Sequence, residues 1–181
     1  MGRMPRQNPV KLVVSIIFRD KEHLEYAEKR LTRLYGDVEP LVWSGPFSFT
    51  GYYCQEFGEP LFRKILCFKR LVDISSAGRT KIQTNVLEDR TRVGGKRKVN
   101  IDPGYVTEAK LVLLTTKDYS HRIHLDKGIF AETTLHYQRG KFRPWPWTYP
   151  DYASPELVSY FSAVREIYRR DLAERGYDAA K

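Results

Sequence analysis

The chain has 181 residues, of which 41% are apolar and 29% charged, and a net charge of +9. This is the length of one domain with an ample core and the balance of a soluble globular protein, and the sequence shows no internal repeat, low-complexity segment or sign of a second domain. Twelve Tyr, nine Phe and three Trp predict a core rich in aromatic rings.

Residues 1–9 lack the apolar segment of a secretory signal and read as a disordered leader. Val10–Phe18 is nearly continuous in apolar character and rich in β-branched residues. It is too short to span a bilayer and reads as a central strand covered on both faces. Asp20 then stands as an N-cap, Leu24, Ala27, Leu31 and Leu34 recur at helical spacing, and Gly36 gives the stop. Val38–Trp43 reads as a second strand broken by Ser44-Gly45-Pro46, and Phe47 to Gly58 as an irregular aromatic stretch. Leu61–Val72 predicts a third strand. Residues 75–92 predict a weak helix ended by Gly94-Gly95. Lys98–Ile101 predicts a fourth strand running into a turn at Asp102-Pro103-Gly104.

The order strand, helix, strand, strand, helix, strand matches the ferredoxin-like split pattern. Residues 107–118 fit a strand by composition, or a helix capped by Thr107 that would align Lys110, Lys117 and His121. Ile129–Tyr137 turns through Arg139-Gly140 into Lys141-Phe142-Arg143 as a hairpin. Pro144 to Tyr152 carries three prolines and predicts an extended strap. Ser154 and Pro155 open a last helix, with Leu157, Tyr160, Phe161, Val164, Ile167, Tyr168 and Leu172 on its apolar face. The expectation is one α+β domain over residues 10–175, a mostly antiparallel sheet with three helices, followed by a frayed tail at 176–181.

Cys54 and Cys67 both lie among apolar or aromatic residues and read as buried, reduced thiols of a cytoplasmic protein. With His121 and His124 they give no zinc framework. Phosphate-binding glycine loops, dinucleotide fingerprints and nucleophile elbows are all missing.

The charge is unevenly spread. Residues 61–100 hold eleven basic and three acidic side chains, whereas 34–60 hold four acidic and no basic ones. A basic field draws phosphates, nucleic acid or acidic ligands, and it also serves as a solvated face. Just beyond it, Asn100 and Asp102 flank Ile101 at the end of a strand, so both point to one face. The pair could bind a substrate hydroxyl, a metal or a phosphate-bound Mg²⁺; a capped turn would use Asp102 equally well. Lys110, Lys117 and Arg122 are suited to an anion. His121 is suited to acid–base work, with Glu132 either orienting it or pairing with a lysine. A buried ion-pair network tying the sheet together is the competing account of the same residues.

At these residues the chain resembles a small prokaryotic family, the domain of unknown function 4416. The resemblance rests on the Thr50-Gly51-Tyr52-Tyr53 region with Glu56 and Gly58, and on Lys81, Thr84-Asn85, Glu88 and Arg97. It continues in Asn100-Ile101-Asp102-Pro103-Gly104-Tyr105, Lys110-Leu111, Thr116-Lys117-Asp118, His121-Arg122-Ile123 and Gly128-Ile129-Phe130-Ala131-Glu132. It ends at Trp147-Thr148-Tyr149-Pro150-Asp151-Tyr152. Gly51 departs from the pattern, standing where an acidic residue is expected. The resemblance implies a shared polar site and assigns it no substrate. Some members carry a GTP-binding label whose motifs this chain lacks.

The leading functional expectation is therefore a phosphate-bearing small molecule, such as a nucleotide, bound after the Asp-Pro-Gly segment. An RNA-binding module would use the basic stretch and the Trp145/Trp147/Tyr149/Tyr152 strip. A structural or partner-binding protein is the third reading.

Overall fold

The computed structural model describes residues 7–49 and 51–177; the first six residues of the expected leader and the end of the expected tail lie outside them. In chain order the elements are β1 (Val10–Phe18), α1 (Lys21–Tyr35), β2 (Trp43–Pro46), the short α2 (Cys54–Phe57) and β3 (Phe62–Val72). A single 3-10 turn at Ile74–Ser76 leads into α3 (Ala77–Asp89). Then come β4 (Val99–Val106), β5 (Lys110–Thr115), β6 (Ile123–Asp126), β7 (Ile129–Gln138), β8 (Lys141–Pro144) and α4 (Pro155–Glu174). The strands form one sheet in the order β2-β3-β1-β4-β5-β7-β6, with β8 also paired to β7. Every pairing is antiparallel.

The sheet lies between two helical layers, which is why β1 is buried along its whole length. Leu12, Val14, Ile16 and Phe18 meet Leu24, Ala27 and Leu31 of α1 and Leu87 of α3. The alternate face carries Val13, Ile65, Cys67 and Leu135 against Leu157, Tyr160, Phe161 and Val164 of α4. Each such large apolar side chain contributes roughly 1.5–3 kcal/mol by leaving water. Ser154 caps α4 by accepting from the Leu157 backbone N–H at 3.2 Å. Lys11, fully buried in β1, bonds Glu39 at 2.6 Å and Asp171 of α4 at 2.5 Å. Neither cysteine is in a disulfide; Cys67 is buried as expected, which pushes its thiol up to about 12, whereas Cys54, at the start of the short α2, is only half-buried.

Several boundaries differ from the sequence reading. The second strand falls at Trp43–Pro46, across the Ser-Gly-Pro expected to break it, because Ser44, Gly45 and Pro46 pair with Lys64, Arg63 and Phe62 at the sheet edge, where proline is tolerated. Val38 makes only an isolated bridge to Phe68. The helix after β3 stops at Asp89, and Gly94-Gly95 instead turn the loop that bridges Val93 and Lys96. Residues 110–115 are a strand, and the helical alternative is not adopted. Pro144 closes β8, and residues 145–152 run in turns rather than an extended path. Among the described residues, no helix is long and apolar enough to cross a membrane.

Candidate functional site

The Asp-Pro-Gly segment is not a turn. β4 runs straight through it, pairing Asp102 with Ser15, Pro103 with Val14 and Gly104 with Val13. Ile101 directs its backbone N–H to Glu88 Oε1 at 2.8 Å and its C=O to Lys81 Nζ at 2.9 Å. Both partners are side chains of α3, so Ile101 turns its polar groups away from β1. By the two-residue alternation of a strand, Pro103 turns the same way, toward β5, and has no N–H to donate. The β4–β5 ladder accordingly stops at Gly104↔Leu113. At that last rung the strands approach closely: a Cβ on Gly104 would lie 2.4 Å from the Val112 carbonyl oxygen. Beyond it the two strands part, and the sheet opens.

A cleft of about 580 Å³ occupies this opening. Its floor is Asn100 and Asp102 of β4, with Lys81 and Glu88 of α3. One wall is Leu113 to Lys117 at the end of β5. The other holds Phe47, Tyr52, Tyr53 and Arg63, with Tyr149 to Tyr152 closing one side.

The ion pairs that shape the cleft are local. Arg97 grips Glu56 of α2 with two bonds, Nε to Oε1 at 2.9 Å and Nη2 to Oε2 at 2.8 Å, and reaches Glu88 at 2.5 Å. This planar fork-to-fork contact is the strong form of the interaction, and it fixes the aromatic wall to the floor. Asp102 accepts from Lys81 at 3.0 Å and from Asn100 Nδ2 at 2.6 Å. Burial works against its charge, but Lys81, Asn100 and Arg63 outweigh burial and hold its carboxyl below the usual range. For Glu88 burial wins over Lys81 and Arg97 and moves the carboxyl upward. Burial and the nearby Asp102 carboxylate drive the Tyr53 phenol far up, so it stays a donor. Arg63 bonds Asp151 and lies between the rings of Phe47 and Tyr152, at 4.6 and 4.9 Å from their centroids.

Of the residues expected from the sequence, Asn100, Asp102, Lys117, Arg122 and Glu132 line the cleft. Lys110 does not: it is exposed and pairs with His136 at the opposite end of β5. His121 stands just outside the lining, where its Nε2 meets Glu132 at 3.2 Å and its ring stacks on Trp147 at 5.3 Å. Glu132 also accepts from Arg122 Nε at 2.7 Å, and the Arg122 guanidinium lies 4.4 Å from the Tyr119 ring centre. Trp145 and Trp147 stack on each other at 5.2 Å, Trp147 donates to the Thr133 carbonyl at 3.1 Å, and Thr148 donates to the Thr134 carbonyl at 2.6 Å. The strip is a strap tied down on β7.

Residues with no role assigned from the sequence turn out to build much of the site: Arg63, Lys81, Glu88, Arg97, Tyr53 and Asp151. Lys81 and Glu88 are seven apart on one helix, the spacing of a shared face, and all of these residues but Arg63 stand among those that carry the family resemblance. Arg63 sat within an apolar strand run, and nothing local marked it.

Among the described residues no group of three or more His, Cys, Asp or Glu is placed to hold a metal ion, and Asp102 is engaged by Lys81 and Asn100. No curated protein and no solved structure matches the chain. The profile of one family matches residues 8–168 and so covers the sheet, the cleft and most of α4, and the chain belongs to that family, the domain of unknown function DUF4416.

Proposed function

We propose that the cleft binds a phosphate-bearing small molecule with a flat ring, a nucleotide in the first instance. The observation that carries this is Lys117. It lies at the mouth beside Thr115 and Thr116, and its ammonium makes no ion pair among the described residues, resting 4.5 Å from the centre of the Tyr52 ring. Tyr119 and Tyr149 add exposed aromatic faces within the same cleft. A cation with no carboxylate, next to rings able to stack a base, has the chemistry of a nucleotide's two ends. The volume lies within the roughly 300–1,000 Å³ of small-molecule sites. Any Mg²⁺ would arrive coordinated to the phosphate rather than in a carboxylate cage.

Two observations weigh against the RNA reading. Arg63, Lys81 and Arg97, three of the basic residues in 61–100, are spent in ion pairs. The Trp145 and Trp147 rings stack on each other, Trp147 also stacks on His121, and Trp145 packs at a tilt against His136. The ion-pair network supports the fold and frames the cleft together.

The test is thermal unfolding of the wild type and Lys117→Ala with mononucleotides, sugar phosphates and inorganic phosphate. A ligand at about a hundred times its Kd should stabilise the wild type by roughly 2.7 kcal/mol. Lys117→Ala should keep its own melting temperature and lose that gain. A wild type indifferent to every phosphate compound would refute the proposal.

A further inference from the structure

We infer that the cleft selects a monophosphorylated ligand whose hydroxyl-bearing part faces Asp102, such as a nucleoside monophosphate, over a polyphosphate; this rests on the reading of the cleft as a phosphate site.

Four of the five basic side chains lining the cleft already hold carboxylates. Arg63 holds Asp151, Lys81 holds Asp102, Arg97 holds Glu56 and Glu88, and Arg122 holds Glu132. Only Lys117 among these five lacks an ion pair within the described residues, so the site offers one uncommitted positive charge. A second or third phosphate would have to displace a carboxylate from a buried cation, leaving that carboxylate desolvated without its partner. It would also meet the like charge of Asp102, Glu88 and Glu132.

The floor asks for the opposite chemistry. The Asp102 side chain is 33% exposed, although both of its oxygens already accept one bond each. An ionised carboxylate has about four acceptor positions, so lone pairs remain for O–H donors and repel anions. The side-chain amide of Asn85, half-buried in the same lining, makes no hydrogen bond among the described residues and offers a donor and an acceptor side by side. A ligand with one phosphate at Lys117, hydroxyls at Asp102 and a hydrogen-bonding ring edge near Asn85 satisfies all three.

The test is calorimetric titration of the full chain and its Lys117→Ala and Asp102→Asn variants, without divalent metal, using the four common ribonucleoside monophosphates, their triphosphates, the matching nucleosides, and the 2′- and 3′-deoxynucleotides. The expected result has three parts: at least one monophosphate binds no more weakly than its triphosphate, its nucleoside binds at least tenfold more weakly, and loss of the 2′- or the 3′-hydroxyl weakens it severalfold. Lys117→Ala should bring monophosphate binding down to the nucleoside level. A triphosphate binding tenfold tighter than its monophosphate would overturn this inference and leave the phosphate site standing. Equal binding of nucleoside and monophosphate would overturn both, and no binding by any compound would overturn this inference, leaving the phosphate site to the sugar phosphates and inorganic phosphate of the thermal test. Full retention of affinity by the 2′-deoxynucleotides, 3′-deoxynucleotides and Asp102→Asn would overturn the assignment of the hydroxyls to Asp102.

Discussion

The Glu88 carboxylate accepts the backbone N–H of Ile101 at 2.8 Å. A helix side chain thereby takes the place that a strand would fill, and β4 can leave β5 without stranding a buried donor. Lys81 does the same for the Ile101 carbonyl. The opening of the sheet is thus compensated from α3, and the compensation depends on two buried charged residues.

Glu88→Ala should therefore destabilise the protein by about 3–5 kcal/mol, because it strands the Ile101 N–H and leaves Lys81 and Arg97 with less compensation. Glu88→Gln, whose amide oxygen can still accept from Ile101, should cost less. Urea unfolding of both variants measures the difference. A loss below about 1 kcal/mol for Glu88→Ala would mean that the β4 edge is satisfied by other means.

Gly104→Ala should act through the backbone. The added methyl group would lie 2.4 Å from the Val112 oxygen and 2.8 Å from Leu113 Cδ2, so β5 must shift. Overpacking of this kind costs about 1–3 kcal/mol. Since Leu113 also lines the cleft, ligand affinity should fall along with the melting temperature. A variant of wild-type stability would show that the strands separate freely there.

How far the sequence revealed this arrangement depended on the range over which each signal acts. Periodicity made β1, α1, the β7–β8 hairpin and α4 legible, because each carries its own apolar pattern and its own cap or turn; Arg139 and Gly140 both take positive φ where the hairpin turns. Asp102-Pro103-Gly104 misled for a physical reason. Proline and glycine mark turns locally, yet here Pro103 ends a ladder and Gly104 admits a neighbouring strand, and both roles are set by β5. The cleft was half legible: Asn100, Asp102, Lys117, Arg122 and Glu132 were visible as a polar run. Arg63, Lys81 and Arg97 join it through contacts that no single stretch contains. Lys110 was grouped with them by proximity in sequence, but the length of β5 carries it to the far end.

The acid side of the stability curve should report Asp102. Its carboxyl is held below the ordinary value of 3.8. A depressed carboxylate contributes stability that is present above its unfolded pKa and is lost as pH falls through the folded one. Glu56, lowered from 4.5 chiefly by its bonds to Arg97, acts in the same direction. The wild type should thus lose stability as pH drops from about 4.5 downward, and Asp102→Asn should show a shallower fall. Melting temperatures between pH 6 and 2.5 check this; parallel curves would remove Asp102 from the account.

His121 and Glu132 separate structure from chemistry. Glu132 is 3% exposed and engages Arg122, His121 and Thr134. Glu132→Ala should cost about 3–5 kcal/mol, because the equally buried Arg122 guanidinium loses its carboxylate. His121 is partly open to solvent and contributes one bond and a stacked ring on Trp147, so His121→Ala should cost about 1 kcal/mol. If His121 moves protons for a reaction in this cleft, His121→Ala should abolish turnover of whichever phosphate compound binds while leaving its affinity within severalfold of wild type. Loss of affinity and turnover in step would make His121 a wall of the binding site. A stability loss as large as that of Glu132→Ala would make it part of the frame.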